Sequence, residues 1–153
     1  MNYSSYLTTP IGFIQILASD EFIHSILFVD SVTESQSNTV SDRARSQLEE
    51  YFQGKRREFD LPLDAKGTKF QQSVWDKLTL VEYGTTCSYR DIANAIENPK
   101  GVRAVGSANG KNPMTIVVPC HRVIGADGSL TGYASGVDRK AWLLKHEQKN
   151  CSN

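Results

Sequence analysis

The chain has 153 residues, 39% hydrophobic and 22% charged, and its 17 basic and 17 acidic side chains cancel. This describes one domain, or two small ones, able to bury about 70% of the unfolded surface without disulfide or metal support. No apolar run approaches the ~20 residues of a membrane span, and the start, MNYSSYLTTPIGF, lacks the basic head and apolar core of a secretory signal. A cytoplasmic protein without membrane contact is expected.

The first third reads as β. Tyr6–Thr8, Gly12–Ala18 and Ile23–Val29 are short aliphatic and aromatic runs, separated by Thr9-Pro10 and Ser19-Asp20-Glu21 as turns. They predict an antiparallel meander. The polar stretch 31–40 reads as a loop, and Ser41-Asp42 as the N-cap of a helix over Arg43–Phe52, stopped by Gly54. Leu48, Tyr51 and Phe52 form its apolar face. Phe59–Leu63 reads as extended, and Ala65-Lys66-Gly67 as a boundary. Thr68 can cap a helix over Lys69–Leu80, with Phe70, Val74, Trp75 and Leu78 on one face. Ser88 can cap a helix over Tyr89–Ile96. After the turn Glu97-Asn98-Pro99 comes a helix over Lys100–Asn109, broken by Gly110. Two short helices so joined form a helix-turn-helix pattern. Thr115–Val118 is a strand-like apolar run ending at Pro119. Gly125–Gly128 is a tight turn, and Asp138–Lys149 a last helix with Trp142 and Leu143 facing inward.

Charge is unevenly placed. Residues 1–65 carry five basic and ten acidic side chains, residues 66–153 twelve and seven. Between Asn98 and Ala126 there is no acid, while Lys100, Arg103, Lys111 and Arg122 fall there. Either a solvated face or a nucleic-acid surface gives this pattern. The cysteines, Cys87, Cys120 and Cys151, are odd in number and widely spaced, which argues against a disulfide framework or a cysteine-rich metal site.

The chemically loaded segment runs from Asn112 to Ile124 and delivers Pro119-Cys120-His121-Arg122 to the end of the apolar run. A free thiol, with a pKa near ~8.5, is a poor nucleophile at neutral pH unless a base or cation assists it. His121 and Arg122 are within chain reach. On a strand, however, neighbours point to opposite faces. His121 therefore helps Cys120 only if the chain turns there or a water relays the proton. The residues alone also leave open a buried structural cysteine beside a surface His and Arg. Cys87 reads as packing, Cys151 as part of a frayed end, His24 as structural and His146 as solvent-facing.

Val118-Pro119-Cys120-His121-Arg122-Val123-Ile124 resembles the active-site signature of the O6-alkylguanine-DNA alkyltransferases, and is closest to their bacterial constitutive type. The likeness runs ungapped from 66 to 149, through Phe70–Leu80, Tyr83-Gly84, Ser88-Tyr89, Ala93, Asn98-Pro99, Arg103–Gly106, Asn109, Asn112-Pro113, Gly132-Tyr133 and Trp142–Leu144 to Glu147. It implies a two-part α/β fold: a ribonuclease-H-like N-terminal domain over 1–64 and a winged-helix-like domain over 65–153 containing the helix-turn-helix. The implied function is direct-reversal DNA repair. Cys120 takes the alkyl group from O6-alkylguanine, and from O4-alkylthymine, in double-stranded DNA, once per molecule, since the thioether is not reopened.

The same resemblance assigns roles. His121 becomes a water-mediated base for Cys120, oriented by Glu147. Asn112 becomes the residue stabilising the turn before the active-site segment. Tyr89 crowds the phosphate of the flipped nucleotide and donates a proton to the leaving guanine. Arg103 fills the vacated stack, because a base inside a duplex has to be flipped out to react. Ala104, Ser107, Asn109 and Arg122 complete the expected DNA contacts. Val123, Leu130, Tyr133 and Ala134 are expected to line the base pocket, where relatives often carry Ser at position 134; Ala keeps the backbone N–H. No cofactor or metal is expected, since no cysteine precedes Cys87 to serve the zinc site of some relatives, and the protein is expected to act as a monomer. Two other readings are a lesion-binding module without chemistry and a cysteine hydrolase using Cys120 with His121 or His146; the latter lacks an oxyanion motif.

Overall fold

The structure, a computed structural model, describes residues 2–130 and 132–151. It consists of two compact units. The first runs to Lys66 and also takes in Pro113–Thr115; the second comprises Gly67–Asn112 and the chain from Ile116 onward. A single cut at 64/65 does not provide for that three-residue return.

In the first unit, β1 (Tyr3–Thr9), β2 (Gly12–Ala18) and β3 (Ile23–Val29) form an antiparallel meander in sequence order. Alternation buries Leu7, Ile14, Ile16 and Ala18 on one face, and a register shift between Leu17 and Ala18 lets Ile23 and Ile26, three residues apart on β3, both be buried. Helix α1 (Thr39–Phe52) covers that face with Ala44, Leu48 and Tyr51. β1 begins before the expected Tyr6 because Tyr3–Ser5 pair with Ile16–Ala18. Two further segments cross the sheet edge. Ile23 N–H donates to Pro62 O and the Ile23 carbonyl accepts from Asp64 N–H, both at 2.8 Å. Ile26 N–H donates to Pro113 at 2.8 Å and its carbonyl accepts from Thr115 N–H at 3.0 Å.

The cap of α1 is Asn38, not Ser41. The Asn38 carboxamide oxygen accepts from Ser41 N–H at 2.9 Å, and Ser41 Oγ accepts from Asn38 N–H at 3.0 Å. Each residue thus satisfies a backbone donor of the other, and the helix starts at Thr39, four residues before the expected Arg43. Gly54 ends it at φ 77°, a left-handed stop open to glycine. Asn38→Ala is expected to lower the first unit's stability by about 1 kcal/mol, read as a lower denaturation midpoint at unchanged slope.

In the second unit, Thr68 and Gln71 form a capping box on α2 (Lys69–Leu78), which buries Val74, Trp75 and Leu78. It stops two residues short of Leu80, which is exposed. α3 (Tyr89–Ala95) is capped by Ser88 and packs on α4 (Val102–Gly110). Trp75 Nε1 donates to Ala108 O at 2.9 Å, tying α2 to α4. α5 (Val137–Cys151) buries Lys140, Leu143 and Glu147, one stripe at i, i+3, i+7. Trp142 is half-buried rather than inward, stacked on His146 at 4.9 Å. No helix of the described residues is long and apolar enough to cross a membrane.

The expected strand over Thr115–Val118 does not form. Met114 bridges Ile26, but Ile116 then adopts φ 73°, which an L side chain rarely does, and the run breaks. The chain instead delivers a 3-10 turn over Cys120–Arg122, followed by β5 (Val123–Ile124), which pairs in parallel with β4 (Cys87–Ser88). That short ladder was not legible in the sequence.

Candidate active site

The turn at Cys120 is set up by its neighbours. Pro119, at φ −81° and ψ 64°, makes an inverse γ-turn in which Cys120 N–H donates to Val118 O at 2.8 Å. The same carbonyl accepts from Asn112 Nδ2 at 2.7 Å, and Asn109 Nδ2 donates to Cys120 O at 3.3 Å. Asn109 in the last turn of α4 and Asn112 just beyond the helix therefore clamp the backbone around the thiol. The ladder between β4 and β5 then starts α3 beside the residues that follow the turn, bringing Tyr89 to the site.

Within the turn, Cys120, His121 and Arg122 are all buried, with His121 fully so. His121 Nε2 lies 2.6 Å from Glu147 Oε2. Arg122 grips the same carboxylate with both ends of its fork, Nε to Oε1 at 2.7 Å and Nη2 to Oε2 at 3.0 Å. Its Nη1 donates to Val81 O at 2.6 Å, and its plane lies 5.6 Å from the Tyr83 ring centre. Burial works against ionising Glu147, but the hydrogen bonds and positive charge of His121 and Arg122 outweigh it and hold the carboxyl well below the usual carboxylate range. An ionised carboxylate only accepts, so His121 Nε2 carries the hydrogen and Nδ1 the lone pair. Burial lowers the His121 pKa; Glu147 opposes this, and the charges of Arg122 and Lys140 add to it. The imidazole is neutral at physiological pH, with Nδ1 buried and bonded to no protein atom among the described residues.

Burial raises the Cys120 pKa, while a hydrogen bond from Asn112 and the charge of Lys140 pull the other way. The thiol is thus held protonated until something accepts its hydrogen. Tyr133, also buried, is pushed well above the normal tyrosine range by burial and then by Cys120.

Other expected residues fall in varied places. Val123 is fully buried, Leu130 half-buried and Ala134 exposed. Arg103, Ala104 and Ser107 are exposed on α4, whereas Asn109 faces inward. Arg122 departs from its expected part as a DNA contact: its guanidinium is spent inside the protein on Glu147 and Val81. Sequence reasoning missed Lys140 altogether. Its only trace is its i−7 spacing from Glu147, which puts a charge on the buried stripe of α5. Cys87 is half-buried on β4, its thiol raised to about 11 by burial and by Asp91. Among the described residues no group of three or more His, Cys, Asp or Glu could hold a metal ion.

The family described as "6-O-methylguanine DNA methyltransferase, DNA binding domain" matches residues 69–149, and its "ribonuclease-like domain" matches residues 2–65. The chain belongs to this family. Its two-part α/β organisation is the family's. The chain is 43% identical over 155 residues to the methylated-DNA–protein-cysteine methyltransferase of Methanosarcina barkeri, covering 97% of this chain and 98% of the relative. Its identity to the constitutive methyltransferase of that name from Bacillus subtilis is 45% over 160 residues, covering 97% and 96%. Among solved structures, Mycobacterium tuberculosis OGT in complex with DNA superposes with a TM-score of 0.88 at 41% identity, covering 95% of this chain and 92% of that one.

Proposed function

We propose that the protein repairs DNA by direct reversal, moving the alkyl group of O6-alkylguanine, or of O4-alkylthymine, from duplex DNA onto Cys120, once per molecule. The observation that supports this most is a buried thiol on a turn whose next residue is a neutral histidine, held by an ionised glutamate with its lone pair on Nδ1.

The chemistry follows from that arrangement. His121 Nδ1 accepts the Cys120 proton through a water, and Glu147 stabilises the imidazolium so formed. The thiolate attacks the alkyl carbon, a carbon–sulfur bond forms, and the carbon–O6 bond breaks. Its electron pair leaves with guanine, which takes a proton from Tyr89. The thioether carbon is then held by a sulfur with no easy path back, so each molecule is consumed.

Access requires the nucleotide to leave the stack. α4 offers a suitable edge. Arg103 is exposed beside Ala104 and Ser107, whose small side chains allow close approach, and the exposed Lys100 and Lys111 flank the helix as phosphate contacts. Val123, Leu130, Tyr133 and Ala134 are the groups proposed to receive the extruded base. No cofactor takes part, and the protein acts as a monomer.

The role of Arg103 in filling the vacated stack has a direct test. Arg103→Ala is expected to slow repair of methylated duplex at least tenfold more than it slows alkylation by free O6-benzylguanine, because only the duplex requires extrusion, a cost of a few kcal/mol. Equal losses with the two substrates remove Arg103 from that role. A non-catalytic lesion binder would leave Cys120 unmodified with either substrate.

A further inference from the structure

Asn109 faces inward from the last turn of α4, 2% exposed, and its Nδ2 donates to Cys120 O at 3.3 Å. That bond fixes which way the carboxamide lies, because only its nitrogen can donate to a carbonyl. The two ends of a carboxamide are about 2.2 Å apart, so Oδ1 lies within about 5.5 Å of the Cys120 carbonyl oxygen. Oδ1 is buried and bonded to no protein atom among the described residues. Buried polar atoms are almost always hydrogen-bonded, and a leucine would fill the position without stranding an acceptor. The Tyr133 hydroxyl is likewise buried and bonded to no protein atom among the described residues, and Val123, three residues after Cys120, is fully buried. Apolar walls with a few unsatisfied polar groups are how ligand pockets are built.

A carboxamide oxygen only accepts, so its partner has to bring an N–H or O–H. Alkylation of O6 leaves N1 of guanine without a hydrogen. The donor remaining on the pairing edge of O6-alkylguanine is then the 2-amino group. O4-alkylthymine carries no hydrogen on that edge. We propose that Asn109 Oδ1 accepts a hydrogen bond from the 2-amino group of the extruded O6-alkylguanine, which makes Asn109 a specificity residue for guanine. One side chain then does two things. Nδ2 holds the Cys120 backbone and Oδ1 reads the base, so recognition is tied to the position of the sulfur. A base without the amino group leaves the oxygen buried and unpaired, and an unpaired buried acceptor is what a site built for hydrogen bonding discriminates against. This inference rests on Cys120 taking the alkyl group from guanine.

The test is the single-turnover rate on two duplexes that differ in one group, O6-methylguanine and O6-methylhypoxanthine, in which a hydrogen replaces the 2-amino group. Wild type, Asn109→Leu and Asn109→Asp are compared. Differences between the duplexes in pairing or extrusion are common to every protein and cancel when the preferences are compared. Wild type is expected to favour the guanine lesion about tenfold, the scale of one hydrogen bond. Asn109→Leu should slow both reactions, since it also releases Cys120 O, and its preference should fall to about twofold or less. Asn109→Asp keeps an acceptor and loses the donor, so it should be slow on both duplexes and retain the preference. Equal preferences in wild type and Asn109→Leu overturn the proposal, as does a wild type that does not distinguish the two lesions. Should Asn109→Leu not fold, an Asn109→Asp protein without the preference overturns it. Failure of the underlying reading looks different: no methyl adduct then forms on Cys120 of wild type with either duplex.

Discussion

Glu147→Ala is expected to slow alkyl transfer by about 10²–10⁴-fold and to destabilise the second unit by about 3–5 kcal/mol. The two losses share one cause. In the folded protein the carboxylate takes three hydrogen bonds, one from His121 and two from Arg122. Without it the Arg122 guanidinium stays buried with, among the described residues, Val81 O and the Tyr83 ring as its remaining partners, and an uncompensated buried charge is costly. His121 also loses the acceptor that fixes its hydrogen on Nε2, so the lone pair need not face the thiol. Glu147→Gln separates the effects. Its amide oxygen can still accept one hydrogen bond, so stability should recover in part, but it brings no charge to stabilise the imidazolium and the rate should stay low. Rapid-quench alkylation and denaturant unfolding on the same preparations check both. A Glu147→Ala protein that transfers at the wild-type rate would dismantle the base assignment.

Cys120→Ser should abolish transfer while leaving the fold and the binding of methylated duplex in place. Serine nearly matches cysteine in shape, so the clamp on the Val118 and Cys120 carbonyls is undisturbed. Its hydroxyl, though, is far harder to deprotonate than a thiol, and a neutral imidazole alone is a weak base for it. Residual transfer above about one part in 10³ of wild type, a margin well inside the range one catalytic group supplies, would mean that another group receives the alkyl carbon. Cys87 and Cys151 are the remaining free thiols; a Cys87→Ala/Cys151→Ala protein should react normally.

Much of this architecture could be read from local chemistry. The capping pairs Thr68–Gln71 and Ser88–Asp91 announce α2 and α3, and the period-two runs announce the meander. Local reading failed where the partner is distant. Asn38 lies in a polar stretch that looks like loop until Ser41 answers it. Thr115–Val118 has the composition of a strand, but only Met114 finds one to pair with, and Ile116 turns the chain away. That turn resolves the objection that neighbours on a strand face apart: Cys120 and His121 lie on a 3-10 turn instead. The residues around Cys120 mark it as a candidate nucleophile, and its assignment as the acceptor comes from the family resemblance. The partners of Arg122 and the burial of Lys140 were not, since a cation looks alike in sequence whether it faces solvent or a carboxylate across the fold. Arg122 was accordingly expected on the DNA and is found inside, bound to Glu147 25 residues away.

The most direct measurement counts modified molecules. Wild-type protein is mixed with excess O6-methylguanine duplex and followed by intact-protein and peptide mass spectrometry alongside counting of repaired bases. Each molecule should gain one methyl group, all of it on Cys120, with repaired bases equal to modified protein and the reaction then stopping. Repaired bases continuing to accumulate after the protein is saturated, or methyl groups on any other residue, would contradict the account.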